Sequence, residues 1–588
     1  MSNGSKSGGI LGRFARGIRS ALTASEPRPK RATAPQPAAA TEPASALNTA
    51  PPASSPTATE LINEGLRQRE KFGVAAALPL FERAAQLEPN SPLPLLMLGN
   101  AHSELSDLDR AVPYYQAARN LEPKNYLIRY NLGLNQLWRG YIDSAIEELA
   151  GACYLNPSHL PAHSGFIMAL HNSDRSNPEE IVAAIRQWAA HFAAQHPATV
   201  RTAPAEAALA RRLRVGFISG DFRTHSVAHF FEPIVSARNR DAFEYFLYSN
   251  SSQRDAVTER LRACADVWHD VWQLTDDALI ELIHADGVDI LVDLSGHTEF
   301  NRLAVFARRA AAVQVTYLGF PNSTGLPTMD FRITDEATDP RPLADTWHTE
   351  GLLRLPDSQW CFRPFGAPQV PGPLPAREAG FVTFGSFNNL MKVSDTLLRC
   401  WAQILIELPT SRLCLTRVRS RERAAEIVAM LEQSGVAAER IECIPYRSEV
   451  PYGLQFAGID IALDHYPYNG VTTTCESLYV GVPVISLYGR HCVSRSGLSI
   501  LNALGLGELV ASTPEQYVEI AVALATDMER LEQLRSGLRN RFEQSPLRDE
   551  KRFAANFEEL LQTAWRQYLA HHTTLDRAAP SGAQALPR

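Results

Sequence analysis

The chain has 588 residues, length enough for about three domains. Its 45% hydrophobic and 21% charged residues are ordinary for a globular protein, and a net charge of −7 argues against a general nucleic-acid binder. Eight scattered cysteines form no C-x-x-C pair and no metal-ligand spacing, as expected of reduced thiols in a cytoplasmic protein, and no apolar run reaches the about 20 residues that span a bilayer.

Residues 1–57 are expected to be a disordered tail and linker. Ile10, Leu11, Phe14 and Ile18 can share a helical face, but Arg13, Arg16 and Arg19 are interspersed, so a secretory signal is not expected. A loosely ordered basic tail is the plainer reading, and a weak membrane-surface or partner helix is the other. From Ser25 to Pro56 the chain is Ala, Pro, Ser and Thr with few large apolar residues, too few to build a core.

Residues 58–175 carry a period of 34 residues. Pro89, Pro123 and Pro157 keep it, as do Ala77, Ala111 and Ala145; so do Phe81, Tyr115 and Leu149, and Ala84, Ala118 and Ala152. Leu98-Gly99 recurs as Leu132-Gly133. These positions match the tetratricopeptide repeat, in which small residues let two helices approach and the proline follows the second helix. Stacked units make a concave groove for protein or peptide partners. Residues 176–210 read as a helical connector, with Ile181, Ala184, Ile185, Trp188 and Phe192 at helical spacing over 178–196.

Beyond the connector, short apolar strands alternate with helices. Strands are expected at 213–219, 245–249, 288–294 and 312–318, then again at 381–387, 412–416, 459–463 and 482–487. The two series define Rossmann-like halves at 211–370 and 371–572, followed by a disordered tail over 573–588. The expected fold is therefore a helical-repeat solenoid followed by two Rossmann-like domains, which usually hold their ligand at the carboxyl ends of the strands.

The most informative segment is DHYPYNGVTTTCESLYVGVPVISL, 464–487. A strand ends, Asn469-Gly470 turns, and a helix opens on Thr472, Thr473 and Thr474. Free N–H groups, the helix dipole and three hydroxyls suit an anion such as a nucleotide diphosphate. Glu476, one turn on, is placed to accept hydrogen bonds from two ribose hydroxyls. Gly470 belongs to the same expected donor site.

With those residues in place, positions 210–570 resemble the catalytic region of the O-linked N-acetylglucosamine transferases and their SPINDLY relatives. The segments GFVTFGSFNNLMKVSDTLL (380–398), YLGFPNSTGLPTMDFRITD (317–335) and YPYNGVTTTCESLYVGVPV (466–484) carry the likeness and look closest to the SPINDLY branch. The resemblance implies two facing Rossmann domains (GT-B), metal-independent inverting transfer from a nucleotide sugar, no bound cofactor, and Ser/Thr hydroxyls of proteins as acceptors. It also implies that His225, after the first strand, orients or deprotonates the acceptor, and that Lys392 neutralises the β-phosphate as the sugar leaves. Asn388 and Asn389 are candidate phosphate or sugar contacts, although the O-GlcNAc enzymes carry Gln at the second position. Asp221, His229, Asp293 and His297 are weaker acceptor-side candidates. Two departures bear on the donor: Val471 stands where O-GlcNAc enzymes have a histidine, and Glu476 where they have an aspartate. UDP-GlcNAc and GDP-fucose both remain open as donors, with a lean to fucose. A scaffold with an inactive sugar-nucleotide domain, a protein N-glucosyltransferase and a transferase acting on lipid or cell-wall precursors are the competing readings. A homo-oligomer is left open.

Overall fold

The computed structural model describes residues 55–198, 211–366, 372–445 and 456–578, with side chains to residue 570. The expected tail over 1–54 and the connector residues 199–210 lie outside these. The chain divides into two compact units, 1–135 and 136–588.

In the first unit, helices Ala58–Phe72, Val74–Leu87, Pro92–Glu104 and Leu108–Leu121 form two successive pairs. The small residues of the repeat are where the pairing demands them. A Cβ on Gly65 would stand 2.5 Å from the Phe81 ring, and one on Gly99 2.5 Å from the Tyr115 ring. The fully buried Tyr115 donates its hydroxyl to Asn100 Oδ1 at 3.0 Å, so its polar tip is satisfied in the core. Helices end at Leu87 and Leu121, two residues before Pro89 and Pro123.

The second unit continues with helices Ile142–Leu155, Leu160–His171 and Pro178–Gln195. The last is closed at its start by a reciprocal Asn177–Glu180 capping box, and it buries Ile181, Ile185, Trp188 and Phe192. Ile185 and Trp188 share an apolar cluster with Ile218 and Tyr248 of the first sheet.

That sheet contains β1 Leu213–Ser219, β2 Phe243–Ser249, β3 Val267–Asp270, β4 Ile290–Asp293, β5 Val313–Thr316, β6 Phe331–Asp335 and β7 Gly351–Leu355. All are parallel, in the order β3-β2-β1-β4-β5-β6-β7. The second sheet contains β8 Thr383–Ser386, β9 Arg412–Val418, β10 Ile441–Pro445, β11 Ile461–Leu463, β12 Val484–Leu487 and β13 Val510–Ala511. It is also parallel, in the order β10-β9-β8-β11-β12-β13. Each sheet reverses its winding beside its first strand, between β1 and β4 and between β8 and β11. Crevices at such points are where doubly wound sheets bind ligands.

The last helix, Glu550–Ala578, departs from expectation twice. It runs through the start of the tail expected from 573. It also returns to the first sheet, although the sequence assigns it to the second half. Phe557 meets Tyr317 at 5.4 Å between ring centres, and Glu558 accepts from the Asn239 backbone N–H at 2.9 Å.

Candidate active site

Three loops leave the carboxyl ends of β1, β8 and β11 and enclose a cavity of about 270 Å³. The first brings His225, the second Asn388, Asn389 and Lys392, the third Val471, Thr472 and Thr473. These residues lie far apart in the chain and meet because all three strands flank the reversal points.

Lys392 follows a short 3₁₀ turn, Leu390–Lys392, at the end of the second loop. Its ammonium donates to the Asn469 carbonyl at 3.0 Å and sits 4.0 Å from the centre of the Tyr468 ring. Burial pushes its pKa down to about 8, while the nearby Asp464 carboxylate pulls it up and Arg417 pushes it further down. The amine is therefore mostly protonated at neutral pH, yet it lacks the full hydration of a surface lysine.

Asp464 is buried at the end of β11 and clamps the loop that follows. It accepts from the backbone N–H of His465 at 2.8 Å and of Gly470 at 2.7 Å, and from the Ser486 hydroxyl at 2.7 Å. Burial raises its pKa to about 6 against these bonds. Gly470 thus spends its N–H on the clamp, and its own role is spatial. A Cβ there would lie 2.3 Å from Thr473 Oγ1 and 2.9 Å from Asn388 Nδ2. Asn469, wholly buried, donates to the His465 carbonyl at 2.6 Å.

The helix Thr472–Tyr479 opens at Val471 with no side-chain cap. Its first N–H groups are thus not closed off by a capping side chain, and a valine stands at the mouth. Of the three expected hydroxyls, only two line the cavity. Thr474 is 2% exposed and packs inward, and Thr473 donates its hydroxyl to Asn388 Oδ1 at 3.1 Å.

Across the cavity, His225 is the N-cap of the helix Ser226–Ala237. Its Nδ1 accepts from the Val227 N–H at 3.3 Å and lies 3.5 Å from Asp221 Oδ2. Burial lowers the pKa of His225, and Asp221 opposes that shift. While Nδ1 accepts from Val227 the ring proton sits on Nε2; a shift of that proton to Nδ1, toward Asp221, releases the Val227 contact and gives Nε2 the lone pair a general base needs.

The remaining candidates do not line this cavity. His229 stacks on Phe365 with ring centres 3.6 Å apart, bonds the Arg363 carbonyl at 2.7 Å, and places Nε2 4.0 Å from Glu476 Oε1. Burial holds its pKa near 4. Neither His229 nor Glu476 lines the cavity. Asp293 accepts from Ser295 N at 3.0 Å, Gly296 N at 2.8 Å and the Thr316 hydroxyl at 2.9 Å, which uses it as a turn clamp. His297 bonds the Thr324 carbonyl at 3.0 Å and meets Trp188 edge-on at 4.3 Å, so it is a core histidine with its pKa pushed down to about 3. In both cases strand-end placement suggests the cleft, but the turn folds the side chain inward.

Sequence reasoning missed Arg417, Tyr468, Trp360, Leu318 and His465. Leu318 and Arg417 hold left-handed backbone at φ 74° and 59° and both line the cavity. Such conformations cost about 1–3 kcal/mol and collect at functional sites. Arg417 had a visible signal, a basic residue closing an apolar strand, whereas nothing local marks the others.

Among the described residues, one buried group has metal-ligating side chains: Asp339, His348 and Cys492. Its charges are already matched internally. Asp339 pairs with the buried Arg332 and accepts from Thr334 at 2.5 Å, while the Cys492 thiol donates to the Pro321 carbonyl. A guanidinium holds the place a cation would take.

Comparison with known proteins places this geometry in context. The chain matches the model of glycosyl transferase family 41 over residues 157–361 and 374–557. It is 37% identical over 426 residues to SPINDLY of Solanum lycopersicum, described as a probable UDP-N-acetylglucosamine–peptide N-acetylglucosaminyltransferase, covering 70% of this chain and 45% of that protein. It is 30% identical over 375 residues to SEC of Arabidopsis thaliana, covering 60% of this chain and 37% of that protein. The chain thus spans under half the length of these curated relatives. A solved lysine-to-methionine mutant of Thermobaculum terrenum O-GlcNAc transferase superposes with a TM-score of 0.79 at 37% identity, covering 87% of this chain and 98% of that one.

Proposed function

The chain belongs to glycosyltransferase family 41, and from that premise we propose that it transfers a sugar from a nucleotide diphosphate sugar to Ser or Thr hydroxyls of proteins, with inversion. The observation that carries the reading is the convergence of Lys392, the uncapped start of the helix Thr472–Tyr479 and His225 on one cavity. The acceptor oxygen attacks the anomeric carbon, its proton passes to His225 Nε2, and the bond from that carbon to the β-phosphate oxygen breaks with its electron pair. The charge that grows on the leaving diphosphate meets the Lys392 ammonium, the Arg417 guanidinium and the first N–H groups of the helix. These interactions strengthen as the bond breaks, which is what speeds the step. Protein groups therefore supply the donors, and the scheme uses no metal. For this step the imidazole proton moves to Nδ1, where Asp221 accepts it in place of the Val227 N–H contact.

The donor is UDP-GlcNAc or GDP-fucose. Val471 at the helix mouth, where O-GlcNAc enzymes resemble one another in carrying histidine, favours the fucose donor. The repeats bind the acceptor polypeptide, since stacked helix pairs present an extended groove and carry no chemistry of their own.

The test is incubation of the purified protein with UDP-GlcNAc, GDP-fucose and UDP-glucose in turn, reading nucleotide release and the mass of an acceptor protein. One donor should be consumed, with a matching mass gain on Ser or Thr. Consumption of none would leave a repeat scaffold with an inactive sugar-nucleotide fold, and transfer to Asn would make it an N-glucosyltransferase.

A further inference from the structure

His465 directly follows the clamp residue Asp464, is fully buried, and touches no residue expected to react. Its two ring nitrogens are both engaged. Nε2 lies 2.9 Å from Ser386 Oγ at the end of β8, and Nδ1 lies 3.0 Å from Asn388 Nδ2. The Trp401 ring meets it edge-on, with centres 5.9 Å apart. Burial and the charge of Lys392 push its pKa down to about 3, so the ring is neutral throughout the working range.

A neutral imidazole has one donor and one acceptor, and its neighbours decide which is which. An amide nitrogen can only donate, so Nδ1 carries the lone pair and Nε2–H donates to Ser386. That assignment fixes Asn388 as well. Flipping its carboxamide would require the ring proton to move to Nδ1 and the Ser386 hydroxyl to turn and donate to Nε2, so ring and amide are held as one unit in a dry site. With the amide held, Oδ1 takes the Thr473 hydroxyl proton, and the second N–H of Nδ2 is left to donate within the cavity that Asn388 lines. Gly470 leaves room for that nitrogen, because a Cβ there would lie 2.9 Å away.

We propose that His465 is a positioning residue for the donor. It fixes the Asn388 carboxamide so that its nitrogen, not its oxygen, is presented to the nucleotide sugar, and it sets the direction of the Thr473 hydroxyl at the helix mouth. This rests on the reading of the cavity as the donor site. His465 acts only through Asn388, which makes the idea testable by a double-mutant cycle.

Binding of UDP and GDP would be measured by calorimetry for wild type, His465→Leu, Asn388→Ala and the double variant, with thermal midpoints alongside. For the nucleotide that wild type binds, each single variant should lose about tenfold in affinity, the loss expected for one buried hydrogen bond. The double variant should lose no more than either single one. His465→Asn, whose side-chain oxygen stands near the position of Nδ1, should recover most of the affinity while remaining as thermally destabilised as His465→Leu. A nitrogen NMR spectrum should show the His465 proton on Nε2. Additive losses in the double variant, or affinity tracking the thermal midpoint across the His465 pair, would overturn the proposal alone. Wild-type protein that binds neither nucleotide would overturn the donor-site reading and this proposal with it.

Discussion

Two buried carboxylates, Asp293 and Asp464, hold equivalent places in the two sheets. Each ends the strand beside its sheet's first strand, β4 next to β1 and β11 next to β8. Each accepts two backbone N–H bonds from the loop that follows and one hydroxyl from the next strand, Thr316 in one sheet and Ser486 in the other. Burial lifts both to a pKa of about 6. The difference lies in what the clamped loop carries. After Asp293 the chain turns at Gly296 and delivers His297 to the core beside Trp188. After Asp464 it runs to an uncapped helix start, and the carboxylate acts on Lys392. The clamp is common architecture, and chemistry arises only where the loop ends on unsatisfied donors beside a cation.

The comparison breaks most sharply at Lys392. Lys392→Ala should lower turnover by about 10²–10³-fold, as loss of a transition-state charge partner does, with a much smaller change in nucleotide affinity. Steady-state kinetics and calorimetry on the same preparation check this, and an unchanged turnover would reduce the second loop to scaffold like the first. His225→Ala should cut transfer by about 10²-fold while leaving nucleotide binding near wild type, so equal losses in both would move His225 to the donor side.

The two aspartates can be set directly against each other. The Lys392 ammonium is present below its pKa and lost above it, so kcat/KM should fall as pH rises through about 8. Asp464→Asn removes a negative charge that supports the ammonium and should move that alkaline limb to lower pH. Asp293→Asn should leave the limb where it is, and both variants should lower the thermal midpoint by disturbing a buried clamp, at about 1–3 kcal/mol each. A limb that moves equally in both would erase the distinction. The smallest effect is expected at the helix mouth. Val471→His should raise the ratio of kcat/KM for a uridine over a guanosine donor by about threefold to tenfold.

The strands and repeats were legible because they rest on period. Alternation of apolar runs and helices located β1, β2, β4, β5, β8, β9, β11 and β12. It missed β3 (VWHD), β6 (FRITD), β7 (GLLRL), β10 (IECIP) and the two-residue β13, short segments in which apolar residues are few or broken by a charged one. The site was legible where a residue lies in the loop, or opens the helix, that leaves a strand's carboxyl end, as His225, Lys392 and Thr472 do. It was illegible where burial decides the role. Gly470 and His297 carry the right atoms for binding, but each is consumed by a contact made on folding, to Asp464 and to the Thr324 carbonyl, and Thr474 is buried. Tyr468 and His465 show the reverse: loop residues with no local signal of a role, they stand against the reactive amine and the amide beside it.

The setting of Lys392 has one more outcome, for labelling chemistry. The chain holds six lysines in all, Lys6, Lys30, Lys71, Lys124, Lys392 and Lys551, against a large excess of arginine. An amine whose basicity is depressed to about 8 offers a free electron pair to acylating reagents at mild pH. A small activated ester offered to the native protein near pH 8 should therefore mark Lys392 early among the few competitors, and a bound nucleotide should shield it. Peptide mapping of that reaction would turn the occupancy of the cavity into a mass-spectrometric signal without any need to know the acceptor.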